Sequence, residues 1–274
     1  MQDRKEPSIR FAVPPNSDVP FEIVHADDDL LVVNKPAGVV TQPGKGHAAD
    51  SLLNGLFDRY GKLLQNLGVK RDWGLLHRLD KQTSGLLLVA LRPNAYDALR
   101  AQFEQRQVCK EYLALVRGRP SPPRGVVQAR LKEIATAHVK KVIVSRSGRD
   151  AISSYRVLSG NARASLVAVA IKTGRLHQIR AHMMFLGTPV LGDDLYDATD
   201  AQPGKVGRRR SAPGNRIPTS SAGRRAAIGV PRLCLHCWKL GFKHPGLAQW
   251  REFQLPPPPD MIAVAQRLGC TIAI

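Results

Sequence analysis

The apolar residues of this 274-residue chain occur in short runs separated by turn-forming residues. No unbroken apolar run is longer than six residues, the length of residues 86–91, whereas a membrane-spanning helix needs roughly 20. Short runs of this kind predict strands, and the few stretches with helical spacing stand singly between them. This order differs from regular βαβ alternation. It predicts an α+β fold in which helices pack on a mixed, largely antiparallel central sheet.

The expected strands begin after a proline-punctuated stretch at residues 1–20, which we interpret as a flexible arm. Residues 21–274 then form one domain. The predicted strands cover residues 21–24, 30–33, 86–91, 112–116, 126–131, 152–158, 165–171 and 233–242. Helices are expected over residues 51–67, from Pro93 through Phe103, and over residues 176–186.

The charge of the chain is strongly one-sided, because 41 Lys and Arg residues face 22 Asp and Glu residues, a formal net charge of +19. Such a surface suits a polyanion, most commonly nucleic acid. Residues 201–225 hold seven basic residues, no acidic residue and several Gly, Pro and Ser residues. We therefore expect a flexible basic insertion at about 200–230. It is either a solvated loop or a segment that contacts phosphates.

The expected compartment is the cytoplasm. The first residues are charged and lack an apolar segment, so no secretory signal is visible, and four cysteines do not make a disulfide scaffold. Cys234 and Cys237 have a metal-binding spacing, but in a strand these two positions face opposite sides. We therefore expect no metal site. The short apolar runs argue against contact with a membrane, and a monomer is the default expectation.

Two polar clusters carry the candidate chemistry. Residues 76–85, LHRLDKQTSG, place a carboxylate, an imidazole and a guanidinium directly before a buried strand. Asp80 either lies at a cleft or belongs to a structural loop, where it caps a turn or pairs with Arg78. Residues 172–182, KTGRLHQIRAH, place two arginines at the start of a helix, where anions are favoured. This cluster is either an anion pocket or a solvated helix start.

Taken together, the two clusters resemble a known family. HRLDKQTSGLLLVA is similar to the HRLDxxTSGLLLxA signature of the RluA family of RNA pseudouridine synthases. TGRLHQIRAHM and the later LGD are similar to that family's GRxHQIRxH and LGD segments. The stretches LVVNKPAG, KEYLA and RLCLH agree as well, so the resemblance runs in order from about residue 21 to 260.

This resemblance implies the roles of three catalytic residues. Asp80 corresponds to the aspartate that initiates cleavage of the uridine N-glycosidic bond, after which the base rotates and re-bonds through C5. The carboxylate either adds to the ribose or removes its 2′ proton. Arg180 corresponds to the arginine that pairs with the aspartate, with Arg175 as the alternative. Tyr112 corresponds to the tyrosine that packs against the base, and it is a candidate for proton removal at C5.

The resemblance also implies substrate contacts and an active-site cleft. Arg78 is expected to help occupy the space left by the flipped base. His77 is expected to orient its loop or to contact a phosphate. Thr83, Arg175 and His177 complete the expected RNA-binding residues.

The implied activity is isomerisation of uridine to pseudouridine in RNA, without a cofactor or a metal. The expected partner is ribosomal RNA of the large subunit, with transfer RNA as the alternative. Many family members carry an N-terminal S4 RNA-binding module, which we expect this chain to lack. A different reading is an RNA-binding ribosome-assembly factor with the same fold, in which catalysis is secondary.

Overall fold

Ten strands in one sheet and four α-helices make up the described part of the chain, which covers residues 11–135, 140–196 and 229–272 of a computed structural model. The strands are β1 Glu22–Ala26, β2 Leu30–Lys35, β3 Ser84–Ala90, β4 Cys109–Arg117, β5 Arg124–Ala135, β6 Lys140–Val144, β7 Arg149–Gly160, β8 Ala164–Ile171, β9 Leu235–Lys243 and β10 Trp250–Gln254. The helices are α1 Leu52–Leu67, α2 Pro93–Glu104, α3 Gln178–Phe185 and α4 Pro259–Arg267, with a 3₁₀ segment at Val69–Gly74.

The sheet has the order β1-β2-β3-β9-β4-β8-β7-β5-β6, and β10 pairs with β9. Every pairing is antiparallel except the short parallel contact between β3 and β9. The expected α+β fold with a mixed, largely antiparallel sheet is therefore confirmed. The late strand β9 lies at the centre and joins two antiparallel parts of the sheet.

Gly85 allows the close approach of β3 and β9. It is paired with Cys237 and has a φ of +117°, a region that side chains with a Cβ rarely occupy. A Cβ at this position would overlap the backbone of Cys237. The glycine therefore lets the polar loop that precedes β3 lie directly beside the central strand.

The helices begin where their capping residues indicate. Ser51 caps α1, since its hydroxyl oxygen accepts the Asn54 backbone N–H and the Asn54 side chain accepts the Ser51 N–H. Pro93 occupies the first turn of α2, where its missing N–H costs nothing. In the described ranges, none of the helices has the length and apolar character needed to cross a membrane.

The expected flexible arm ends earlier than residue 20. Val13 and Val19 are buried, and the Asn54 side chain donates to the Pro14 carbonyl oxygen at 2.7 Å. Residues 11–20 therefore pack on α1 and cover part of its apolar surface. The prolines of this segment do not prevent the packing. Residues 1–10 and almost all of the expected basic insertion at about 200–230 lie outside the described residues.

Two edge strands were not expected from the sequence. β6 pairs with β5, and β10 pairs with β9. Both are five residues long and carry several charged or polar residues. Neither strand has more than three consecutive apolar residues, so periodicity alone does not identify them.

Candidate active site

Asp80 lies in the loop that leads into β3, and 20% of its side-chain surface is accessible. The backbone of the loop is held on both sides of this residue. The Asp80 carbonyl oxygen accepts the Thr83 N–H at 3.0 Å. The Thr41 hydroxyl donates to the Leu79 carbonyl oxygen at 2.8 Å and accepts the Leu79 N–H at 3.1 Å. The carboxylate is therefore presented from a fixed backbone.

Lys35, the last residue of β2, supports the same loop through hydrogen bonds to backbone carbonyl oxygens. Its fully buried Nζ donates to the carbonyl oxygens of Pro36 at 2.8 Å, Val39 at 2.7 Å and Lys81 at 3.4 Å. Burial lowers the pKa of Lys35 to about 7, although the Asp80 charge acts in the opposite direction. In the sequence, Lys35 belongs to the LVVNKPAG segment of the family resemblance, and its spacing gives no sign of this burial.

Arg180, on α3, bridges two carboxylates. Its Nη1 donates to Asp80 Oδ2 at 3.1 Å, while Nε and Nη2 donate to the two oxygens of Asp193 at 2.7 and 2.8 Å. Burial alone would lower the pKa of Arg180, but the hydrogen bonds and charges of Asp193 and Asp80 raise it above its ordinary value. Arg180, rather than Arg175, is therefore the charged partner of Asp80.

Tyr196 joins the remaining parts of this network. Its ring lies 5.1 Å from the Arg180 guanidinium, and its hydroxyl oxygen accepts the Val142 N–H at 2.7 Å. The hydroxyl is also hydrogen-bonded to His177 Nδ1 at 3.1 Å, and His177 Nε2 lies 3.8 Å from Asp80 Oδ2. Burial lowers the pKa of His177 against the opposing effect of Asp80. The LGD motif pointed to this region, but Asp193 and Tyr196 were not among the expected site residues.

Tyr112, on β4, faces the same cavity from the sheet. It is buried opposite Cys237 of β9. Burial and the neighbouring Cys237 raise the pKa of Tyr112 well above its ordinary value. Its hydroxyl is therefore protonated at neutral pH, so the free protein offers an aromatic surface and a hydrogen-bond donor here rather than a base.

His77 is a neutral, structural member of the loop. Its Nε2 accepts the Leu88 N–H at 3.1 Å, and its ring stacks on Phe103 with 5.4 Å between ring centroids. Burial lowers the pKa of His77 to about 3. Of its two expected roles, orientation of the loop fits this geometry, and contact with a phosphate as a cation does not.

The other expected RNA-binding residues lie in different environments. Arg78 is exposed at the cavity. Arg175 also lines the cavity, and its Nε donates to the Asp150 carbonyl oxygen at 3.1 Å. Thr83 is buried, and its hydroxyl has no hydrogen-bond partner among the described residues. Arg78 and Arg175 can therefore reach a substrate from the protein surface, whereas Thr83 lies deeper.

The two polar clusters of the sequence meet in one cavity of about 610 Å³. Its lining includes Asp80, Tyr112, Arg180 and every expected RNA-binding residue. Eight Lys or Arg residues line it, against three acidic residues. A site of this charge attracts a polyanion, and of the two carboxylates that Arg180 contacts, only Asp80 lines the cavity.

The described residues contain one group of side chains close enough to share a metal ion, namely Asp27, Asp29 and His244. His244 Nδ1 accepts the N–H groups of Gly246 and Leu247, at 3.2 and 3.1 Å. The ring proton therefore lies on Nε2, which donates to Asp27 Oδ2 at 2.9 Å. That arrangement fits a hydrogen-bonded pair better than a metal site.

Cys234 and Cys237 do not form a metal-binding pair. Both are buried, but they pack into separate apolar clusters, as expected for residues that face opposite sides of the sheet.

Comparison with known proteins places this geometry in a family. The model of the RNA pseudouridylate synthase family matches residues 29–184, a range that contains Asp80, Tyr112 and Arg180. Ribosomal large subunit pseudouridine synthase D of Nitrosomonas europaea is 36% identical over 250 residues, which cover 91% of this chain and 66% of that protein. The protein of the same name from Zymomonas mobilis is 37% identical over 245 residues, which cover 89% of this chain and 71% of that protein.

Solved structures agree with this assignment. Human RNA Pseudouridylate Synthase Domain Containing 4 has a TM-score of 0.64 at 26% identity, over 90% of this chain and 93% of that chain. Human RNA Pseudouridylate Synthase Domain Containing 1 has a TM-score of 0.63 at 28% identity, over 91% and 89%. The matched region spans only 66% of the Nitrosomonas protein and 71% of the Zymomonas protein. By its sequence, its fold and the family match, the chain belongs to the RNA pseudouridylate synthases, which are isomerases.

Proposed function

We propose that this protein isomerises specific uridines of large-subunit ribosomal RNA to pseudouridine, and that Asp80 initiates the reaction. The observation that carries the proposal is the Asp80–Arg180 contact of 3.1 Å inside a cavity whose charged lining residues are mostly cations. A carboxylate weakens the binding of a polyanion by repulsion, so a site that only binds RNA gains nothing from it. Its fixed position favours a chemical role.

The names of the relatives support the choice of RNA. The proteins from Nitrosomonas europaea and Zymomonas mobilis are both named for the large ribosomal subunit. Ribosomal RNA is a substrate that a protein in the cytoplasm meets, in agreement with the compartment expected from the sequence. We therefore favour ribosomal RNA over transfer RNA.

In the proposed reaction, the target uridine leaves its stack and enters the cavity, as base-modifying enzymes require. The N1–C1′ bond breaks, C1′ bonds to C5 of the rotated base, and the proton on C5 is replaced by one on N1. No atom is gained or lost. Ionised Asp80 starts the sequence, either by adding to C1′ or by removing the 2′ proton. Arg180, which donates to Asp80 Oδ2 at 3.1 Å, orients the carboxylate toward the substrate.

Tyr112 is proposed to pack its ring against the base. Its hydroxyl is protonated because burial and Cys237 raise its pKa. It therefore donates a hydrogen bond to the base, and it can take the C5 proton only after losing its own. Removing the hydroxyl in Tyr112→Phe tests this role, because stacking is retained while any proton transfer is lost.

The test is pseudouridine mapping of total RNA from cells with and without the gene, complemented with wild type, Asp80→Asn or Asp97→Asn. Asp97 is a control on α2 whose carboxylate pairs with Arg71 at the surface. A ribosomal pseudouridine that disappears on deletion and returns with wild type and Asp97→Asn, but not with Asp80→Asn, supports the proposal.

Other results would contradict parts of the proposal. A changed site found only in transfer RNA would replace the proposed substrate. No changed site, together with equal rescue of ribosome assembly by wild type and Asp80→Asn, would favour the assembly-factor function.

A further inference from the structure

Lys110 is a cation of the cavity that the proposed chemistry does not use. It lies on β4 two residues before Tyr112, so both side chains are on the same face of the strand, and both line the cavity. Its Nζ lies 4.8 Å from the centre of the Phe103 ring on α2. On the other side, a Cβ at Gly174 would lie 3.9 Å from Nζ. The ammonium group therefore sits between two walls of the cavity.

The neighbouring acids are already paired with other cations. Glu111 contacts Arg156 at 3.1 Å, and Glu104 contacts Arg100 at 2.9 Å. Within residues 11–135, 140–196 and 229–272, no carboxylate oxygen lies within 4.0 Å of Lys110 Nζ, the distance limit for an ion pair. The aromatic face of Phe103 offers only partial compensation for the charge.

Burial makes this arrangement costly. It lowers the pKa of Lys110, although nearby Cys237 and Cys109 act weakly in the opposite direction. A desolvated ammonium group without a counter-charge is unfavourable, so an anion placed beside it would be bound strongly. Lys172 and Arg175, on either side of Gly174 in the chain, add further positive charge to the same cavity.

We propose that Lys110 binds a backbone phosphate of the nucleotide whose base enters the cavity. This inference rests on the proposed function. Successive residues of a strand are about 3.3 Å apart, so Lys110 lies about 6.6 Å along β4 from Tyr112. This separation suits two parts of one nucleotide, with the base at Tyr112 and the phosphate at Lys110. Phe103 and Gly174, which both lie close to Nζ, then keep the ammonium group beside the phosphate.

The experiment measures binding of a fluorescein-labelled 12-nucleotide oligouridylate by anisotropy, at several salt concentrations. Every register of this probe can place a uridine in the cavity. All proteins carry Asp80→Asn, so the probe is bound but not converted. Lys110→Met removes the charge and keeps the apolar stem over Phe103. Lys110→Arg keeps the charge, and Lys62→Met removes an exposed charge on α1, outside the cavity.

Lys110→Met is expected to weaken binding about tenfold at low salt, because a charge-assisted hydrogen bond is lost. The slope of log affinity against log salt becomes shallower by about 0.7, the value for one phosphate of a single strand. Lys110→Arg and Lys62→Met keep the parent affinity within about twofold and the parent slope.

Equal affinity and slope for Lys110→Met and the parent, with both proteins folded by circular dichroism, would overturn the inference. If Lys110→Met does not fold, Lys110→Gln is measured in its place. A wild-type protein that forms no pseudouridine, but whose binding still depends on Lys110, would overturn the proposed function alone. Normal pseudouridine formation with binding independent of Lys110 would overturn this inference alone.

Discussion

Asp193 holds Arg180 by two short hydrogen bonds, of 2.7 and 2.8 Å, and so fixes the guanidinium plane that meets Asp80. The Asp193 side chain is fully buried, whereas that of Asp80 retains 20% of its exposure. The buried acid therefore orients the arginine, and the accessible acid faces the cavity. This division explains how two carboxylates share one cation while only one of them is available to a substrate.

Replacing Asp193 is expected to lower the unfolding free energy of the protein. Asp193→Asn leaves the buried Arg180 charge with one carboxylate, and breaking a buried pair costs about 3 kcal/mol of unfolding free energy. Urea denaturation measures this loss. The control is Asp97→Asn, which breaks the exposed contact with Arg71 and costs less than about 1 kcal/mol. Equal losses in the two variants would show that Asp193 does not stabilise Arg180.

Tyr196→Phe keeps the ring beside Arg180 and removes the hydroxyl bonded to Val142 and His177. The buried Val142 N–H then has no acceptor, so stability falls by about 1–3 kcal/mol. Turnover falls at least about tenfold, because His177 and Arg180 are no longer held together. Thermal unfolding and a pseudouridine-formation assay measure the two effects.

Tyr155→Phe is the matched control for Tyr196→Phe. The Tyr155 hydroxyl donates to the Pro122 carbonyl oxygen at 3.1 Å, and neither residue lines the cavity. Its loss lowers stability by about 1 kcal/mol and leaves turnover unchanged. If both tyrosine variants reduced turnover equally, the effect of Tyr196 would be one of stability alone.

The stability of the protein is expected to fall in mild acid. His182 and His236 are buried, and burial lowers the pKa of each to about 4. Both are neutral in the folded protein, whereas in the unfolded chain they bind protons below about pH 6.5. The unfolded state therefore binds more protons between about pH 6.5 and 4. Each histidine lowers the unfolding free energy by about 1.4 kcal/mol per pH unit as the pH falls through this range.

Urea denaturation at pH 7.5, 6 and 5 measures this dependence. His182→Gln removes one titrating group, so its unfolding free energy changes less steeply with pH, by about one proton. An unchanged slope in this variant would mean that His182 is protonated in the folded protein.

Gly85→Ala tests the close approach of β3 and β9. The new Cβ would overlap the Cys237 backbone, and the φ of +117° is unfavourable for alanine. We expect a loss of about 3 kcal/mol or more, measured by thermal unfolding or as a loss of soluble protein. Gly44→Ala is the control, since a Cβ there meets nothing within 4 Å. A Gly85→Ala protein as stable as this control would contradict the proposed packing.

The sequence predicted the strands and helices that a local signal marks, such as an apolar run or a capping residue. The apolar run of residues 86–91 identified β3, and Pro93 marked the start of α2 within one turn. β6 was missed because its five residues, two lysines followed by three apolar residues, show no strand alternation. Packing of residues 11–20 on α1 was missed because it depends on tertiary contacts, which composition does not report.

The residues of the candidate site also fall into two groups, those that motifs identified and those whose role depends on burial. Motifs placed Asp80, Tyr112 and Arg180 together, since each belongs to a recognisable segment. Lys35 could not be identified, because nothing in a sequence distinguishes a lysine that is buried on three carbonyl oxygens from one at the surface. The neutral state of His77 likewise follows from its burial and its hydrogen bond to Leu88, neither of which its motif specifies.

The central position of β9 has a consequence for the order of events on the ribosome. β3, which follows the Asp80 loop, and β4, which carries Tyr112, are both synthesised long before β9, yet β9 lies between them. Domains generally fold as their chain emerges. A nascent chain that ends before residue 235 therefore contains the residues of the site on two unconnected sheet edges. The two sheet edges that carry Asp80 and Tyr112 are therefore joined only after residues 235–243 have been synthesised, which is long after the site residues themselves.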